Sequence, residues 1–211
     1  MKKNQWYTVR NQSLAVYARQ AGFDLAIYSQ YSKEVQAELR RRTIAEALAE
    51  IDSQCDEMGV DIYGVTKGLY VISLSNPLSI QYVKRRSQVI YVGMGSIMSR
   101  IKSHFNKSLF DFMESLSGAN FDFEFACPAR KGPSKDYYKH IEYLMLDYFS
   151  EHFGGTDTVR RFPLLNKNAG SDRGFAGGTH WWKKPLKVSG TRPYWELKPT
   201  SHSDFPPLDS K

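Results

Sequence analysis

The sequence predicts an α+β fold: a small three-stranded antiparallel sheet flanked by helices, with a mainly helical N-terminal extension and an irregular, basic C-terminal tail. Three observations point there. Two strand signals, Gly68–Leu74 and Ser87–Gly93, follow one another with only a loop between them, so they pair antiparallel. A third, Asn120–Ala126, alternates apolar and polar residues with period two, the mark of a half-buried strand. Helical patterns stand before, between and after these strands, and helices so placed cover the sheet.

The elements read in order as follows. The first 31 residues are aromatic and polar without periodicity. From Ser32, a natural N-cap, a helix runs to Met58 with Gly59 as its stop, and Ile44, Leu48, Ile51, Cys55 and Met58 form its apolar stripe. Cys55 lies in that stripe and reads as a small buried hydrophobe. Ser75–Arg86, with Asn76, Pro77, Lys84, Arg85 and Arg86, reads as an exposed hairpin loop. A helix begins near Ser96 and carries Ile97, Ile101 and Phe105 on one face. Lys131–Ser134 is a turn, and Ser134 caps a helix that reaches about His152. From Gly154 onward glycine, proline and basic residues dominate.

Composition bounds the function. The 211 residues make one domain with additions or two small ones, and 41% hydrophobic with 14% aromatic content supplies a core. No apolar run approaches the roughly 18 residues of a spanning helix, and the opening MKKNQWYTVR lacks a secretory hydrophobic region. The expectation is a soluble cytoplasmic protein with no membrane partner. Cys55 and Cys127 have no paired spacing, which excludes a disulfide scaffold and a cysteine zinc site. The net charge of +7 is unevenly spread. Residues 84–107 hold six basic and no acidic side chains, and residues 160–211 hold ten basic against four acidic. Such blocks are the electrostatic footprint of phosphate binding, set against the plainer reading of a soluble basic protein.

Four features carry chemistry. Tyr70 opens the first strand and Tyr91 lies near the end of the second, so an antiparallel pair brings them together at one edge; tyrosines in strands are also ordinary packing residues. Arg100 and His104, at i and i+4, share one helix face, where a planar cation and a proton carrier can grip a phosphate. Glu142 sits among Tyr138, Ile141, Met145, Tyr148 and Phe149. A carboxylate there is costly unless it pairs, with Arg100 or Lys139, or coordinates a cation. One carboxylate with open positions suits a hard Mg²⁺ completed by waters and a substrate phosphate. Asn166 follows an apolar triplet, which pins it at the core edge or makes it a turn asparagine.

Taken together, GLY at 68–70, YVG at 91–93, Arg100 and His104 four apart, Glu142 on a later helix and Asn166 after a proline-containing turn resemble the GIY-YIG nuclease family. The resemblance covers residues 66–170, leaving residues 1–65 as the helical extension and 171–211 as the tail. Leu69 and Val92 replace isoleucines, and the 21-residue separation of Tyr70 and Tyr91 extends the hairpin loop. The resemblance implies a divalent-metal-dependent endonuclease that hydrolyses phosphodiester bonds in DNA, with RNA left open. Glu142 would hold one Mg²⁺ or Mn²⁺ at the scissile phosphate and the leaving 3′ oxygen. Tyr70 would take a proton from the attacking water, with His104 sharing the relay. Arg100 would neutralise the transition state, Tyr91 would orient the phosphate or water, and Asn166, rather than Asn168, is the closing asparagine.

Lys84, Arg85, Arg86, Lys102, Lys107, Lys167, Lys183 and Lys184 are the expected nucleic-acid contacts, while Trp181 and Trp182 either stack bases or pack on the core. Two other readings use the same residues. One is a catalytically inactive binding module on this fold. The other is an interaction protein whose 32–58 helix forms a homodimer or docks on a partner. A PD-(D/E)xK nuclease is disfavoured, because no Asp followed by Glu-x-Lys falls on adjacent strand positions.

Overall fold

The computed structural model describes residues 1–129, 136–155, 159–168, 170, 173–175, 180–186 and 195–197. The chain opens with β1 (Trp6–Gln12), α1 (Leu14–Gln20), a 3₁₀ turn (Leu25–Gln30) and the long α2 (Lys33–Glu57). β2 (Gly68–Leu74), β3 (Leu78–Gln81), β4 (Arg86–Ser87) and β5 (Val89–Gly95) follow. α3 (Ile97–His104) continues through a π-helical turn (Phe105–Leu109) into α4 (Phe110–Ser115), and β6 (Phe121–Ala126) comes next. α5 (Tyr137–Phe149), a second π turn (Ser150–Gly154), a 3₁₀ helix (His180–Leu186) and β7 (Trp195–Leu197) complete the described elements.

The mixed α+β class is as expected, but the main sheet has four strands rather than three, in the order β1-β6-β2-β5. All its neighbours are antiparallel. The extra strand comes from the segment read as a helical extension. Trp6 pairs with Ala126 and Val9 with Phe123, and the register shifts between Val9 and Gln12. That shift breaks the period of two, so the strand is decided by the edge of β6 rather than by its own pattern. Residues 1–65 and 66–170 therefore share one core, in which Trp6, Val9, Ile44 and Ile51 are buried with Leu69, Ile72 and Phe123.

α2 has the expected bounds. Ser32 Oγ accepts from the Val35 N–H at 3.4 Å, and Gly59 adopts φ +66° just past the end. Thr43, Ile44, Ala47, Ile51 and Cys55 form its buried face, while Met58 is exposed.

The segment expected as an exposed loop is instead folded. β3 and β4 pair antiparallel, and β7 adds to β3 in parallel, making a second small sheet. Ile80 and Tyr82 are buried, and the Tyr82 hydroxyl donates to the Val89 carbonyl at 2.7 Å while accepting from the Leu164 N–H at 3.1 Å. Leu78, Ile80 and Tyr82 do alternate, but Pro77 and the three cations obscure the pattern. Lys84 and Arg85 remain exposed.

Alternation along the strands places Tyr70, Ile72, Leu74, Tyr91, Phe121, Phe123 and Phe125 on one face of the main sheet. α3, its π turn and α4 cover this face: the Phe105 and Phe123 rings lie 6.1 Å apart, as do Phe112 and Phe121. α5 packs against β5 and β2. The outer strand β5 thus runs between the two helices that carry the candidate polar residues. The expected cap at Ser134 lies outside the described residues. The tail segment His180–Leu186 packs on the protein, with Trp182 and Leu186 buried and the Trp6 indole N–H donating to the Trp181 carbonyl at 3.1 Å. Among the described residues no helix is long and apolar enough to cross a membrane.

Candidate active site

The β2–β5 register sets Tyr70 opposite Gly93 and Ile72 opposite Tyr91, which makes the two tyrosines diagonal neighbours on one face. Their rings stack with centroids 5.8 Å apart and an interplanar angle of 25°. Gly93 is required by packing. A Cβ there would fall 2.5 Å from both Cζ and Oη of Tyr70 and 2.6 Å from the Tyr91 ring. Gly93 thus has a local reason to lack a side chain.

α3 brings His104 onto this pair. The Tyr70 hydroxyl and His104 Nε2 are 2.7 Å apart, and the His104 ring lies 4.2 Å from that of Tyr91. Burial, reinforced by the cations Arg100 and Lys107, lowers the His104 pKa to about 4, so its ring is neutral at physiological pH. Burial also raises the Tyr70 phenol far above its ordinary value. The bond is therefore assigned as Tyr70 O–H donating to Nε2, with the ring proton on Nδ1. Tyr70 is only 1% exposed and stands behind the surface rather than on it.

In front lies an open cleft of about 720 Å³ lined by Tyr91, Arg100, His104, Lys107, Glu142 and Asn166, among others. Glu142 reaches it from α5. Burial raises its carboxyl to about 7, and the charge of Arg100 acts in the opposite direction. Lys139, one of the two ion-pair partners considered for Glu142, is instead held by Asp136 at 2.9 Å.

Asn166 spends its carboxamide on backbone. Its Oδ1 accepts from the Val92 N–H at 2.9 Å and its Nδ2 donates to the Val92 carbonyl at 2.7 Å, while the Leu165 N–H donates to the Ile90 carbonyl at 2.9 Å. The segment thereby continues the hydrogen bonding of the outer strand and lays Lys167, Asn168 and Gly170 along the cleft. Asn166 is a staple of the site, with its amide committed to the strand.

The expected cations divide. Lys107 and Lys167 line the cleft. Lys102 is exposed on α3 but does not line it. The Lys84 ammonium donates to the Glu151 carbonyl at 3.0 Å, Arg85 is exposed and Arg86 half-buried in β4. The Lys183 ammonium lies 4.4 Å from the centre of the Tyr148 ring. Lys184 lines a separate polar cavity of about 130 Å³ with Asp122 and Glu124.

Ser108 and Asp111 also line the cleft, beyond the residues expected there. They depend on the π turn at 105–109, for which the sequence does carry a signal. Ile97, Ile101, Phe105, Leu109 and Met113 are all buried and recur every four residues. A regular α-helix with about 3.6 residues per turn drifts off such a line, and one widened turn restores it.

Glu142 is a single hard oxygen donor, and among the described residues no group of three or more His, Cys, Asp or Glu side chains gathers to hold a metal. This donor set fits a Mg²⁺-like cation that keeps most of its waters and takes further oxygens from a phosphate. No protein family, curated protein or solved structure matches the chain. The functional reading rests on the geometry and chemistry of this cleft.

Proposed function

We propose that the chain is a divalent-metal-dependent endonuclease of the GIY-YIG type, hydrolysing phosphodiester bonds in DNA. One observation carries the reading: Tyr91, Arg100, His104 and Glu142, drawn from a strand and two helices, line a single cleft, with the Tyr70 hydroxyl bonded to His104 directly behind.

Each side chain has a role its surroundings suit. Arg100, an obligate cation with a planar donor fork, binds the non-bridging phosphate oxygens and offsets charge that grows on them. Tyr91 orients the phosphate or the attacking water. Tyr70 and His104 form a proton relay through the bond between the Tyr70 hydroxyl and Nε2, with His104 on the cleft wall and Tyr70 behind it. Burial, then Arg100 and Lys107, lower the His104 pKa, and a phosphate bound between the two cations offsets their part of that effect. Glu142 is the residue to hold Mg²⁺ or Mn²⁺, and Arg100 favours its ionised form. A divalent ion held there would supply charge neutralisation at the phosphate and its leaving 3′ oxygen. Lys107 and Lys167, which line the cleft, meet the DNA backbone.

The test is cleavage of supercoiled plasmid and branched DNA with Mg²⁺, with EDTA, and with the Glu142→Ala variant. Nicking or linearisation that needs both the metal and Glu142 is expected. Metal-dependent cleavage at full rate by Glu142→Ala would overturn the assignment.

A further inference from the structure

α2 contributes a residue to the cleft's architecture that lies outside the features above. Arg40 projects from α2 with its side chain 22% exposed. Its Nη2 donates to the Phe105 carbonyl at 2.9 Å and to the Lys107 carbonyl at 2.8 Å. Its Nη1 donates to Asp111 Oδ1 at 2.6 Å, and its guanidinium lies 4.6 Å from the centre of the Phe110 ring. The neighbouring Arg41 and Arg42 do something ordinary by comparison, both pairing with Glu38 on the solvent side of the same helix.

Both carbonyls belong to the π turn Phe105–Leu109. A widened turn has poorer internal hydrogen bonds and splays its carbonyls, so an external donor that bridges two of them favours it over the regular helix. A planar fork with several donors suits this task; a lysine ammonium does not span the same set. The consequence reaches the cleft. His104 is the residue immediately before the turn, Lys107 and Ser108 lie within it, and Asp111 follows it. Closing the widened turn to a regular one would rotate everything after it by about 100° relative to α3. Arg40 also offsets the Asp111 carboxylate, which would otherwise present an uncompensated negative charge to a phosphate.

We propose that Arg40 is a positioning residue for the candidate active site: its guanidinium locks the π turn after His104 and so sets where Lys107, Ser108 and Asp111 stand around the cleft beside His104. The kinetic arm of the test rests on the nuclease reading, and the spectroscopic arm does not.

The experiment compares the full-length parent with Arg40→Met, which keeps an aliphatic stem over Phe110, and with Arg40→Lys. Arg41→Met serves as the control for loss of a charge from α2. The first readout is the ¹⁵N signal of His104 Nε2 at fixed pH, without metal or DNA. Arg40→Met is expected to move it, because Lys107, whose charge acts on His104, changes place, and Arg41→Met to leave it unchanged. The second readout is plasmid cleavage with Mg²⁺. Arg40→Met is expected to lower kcat about 100-fold while KM changes by less than about twofold, with Arg40→Lys recovering part of the loss. A folded Arg40→Met protein with the parent's His104 signal and kcat overturns the proposal. Should Arg40→Met not fold, Arg40→Lys decides by the same two readouts, its parent-like behaviour in both counting against the proposal. A parent that cuts no DNA defeats the nuclease reading alone, since the Nε2 signal still decides the role of Arg40.

Discussion

Gly93 lies directly across the β2–β5 ladder from Tyr70, and a methyl group on it would sit 2.5 Å from the Tyr70 hydroxyl oxygen. The approach of backbone to phenol holds the Tyr70 ring against Tyr91 and aims its hydroxyl at His104. Gly93→Ala is therefore expected to destabilise the protein by about 1–3 kcal/mol through overpacking. It should also lose the Tyr70–His104 bond. Urea denaturation measures the first effect and the His104 ring nitrogen shifts the second. A variant with parental stability would mean that the strands separate freely at this point.

Glu142→Gln is expected to stabilise the protein while abolishing cleavage. The folded-state carboxyl titrates near 7, against 4.5 for an unperturbed one. The folded state thus holds the extra proton between these values, and stability is lost as pH rises from 4.5 to 7. The glutamine variant should match the parent near the ordinary carboxyl value of 4.5 and exceed it by about 2 kcal/mol at about pH 8, a figure already reduced for the partial exposure of the group. Denaturant titrations at the two pH values give the comparison.

Tyr70→Phe removes the donor to His104 Nε2 without opening space. Cleavage is expected to fall by about 10²- to 10⁴-fold, with DNA affinity unchanged. The stability loss should be about 1 kcal/mol, that of one hydrogen bond. On the acid side the parent should weaken as pH falls from 6.5 toward 4, because His104 gains a proton more readily in the unfolded chain. His104→Gln should lack that component. Chemical denaturation across the same pH range checks both statements.

Asn166→Ala removes two hydrogen bonds to the Val92 backbone on the outer strand. A loss of about 2 kcal/mol is expected, together with faster amide exchange at Val92. Asn166→Asp should be nearly as damaging, since a carboxylate accepts from the Val92 N–H but repels the Val92 carbonyl. Hydrogen exchange at Val92 and Leu165 reports the result.

Replacing Lys107 and Lys167 by alanine is expected to weaken DNA binding about equally for all sequences. The log–log salt slope should flatten by roughly 0.9 for each duplex phosphate that is no longer neutralised. The same titration on a Lys84, Arg85 and Arg86 triple alanine variant tests the second sheet as a partner of the DNA backbone. An unchanged slope for the cleft pair would remove the duplex from the walls of the cleft.

Local signals are legible wherever one element's own pattern suffices. Ser32 and Gly59 bound α2, alternation marks β6, and four-residue spacing places Arg100 and His104 on one face of α3. The segment after β2 reads as a loop because Pro77 and three cations outweigh the alternation of Leu78, Ile80 and Tyr82 over so short a segment. Only burial against the core discloses that alternation.

By itself the sequence determined the α+β class, the central helices and strands, and the identities of the polar residues, because periodicity and capping are properties of short segments. The tertiary structure alone decided that β1 joins the sheet, that Tyr70 is sealed behind His104, that Asn166 grips Val92, and that Arg40 reaches the π turn from a helix 65 residues away in sequence. The physical reason is the same in each case. A strand edge, a buried hydroxyl or a splayed carbonyl must find a partner when water is excluded, and that partner is set by packing rather than by neighbours along the chain.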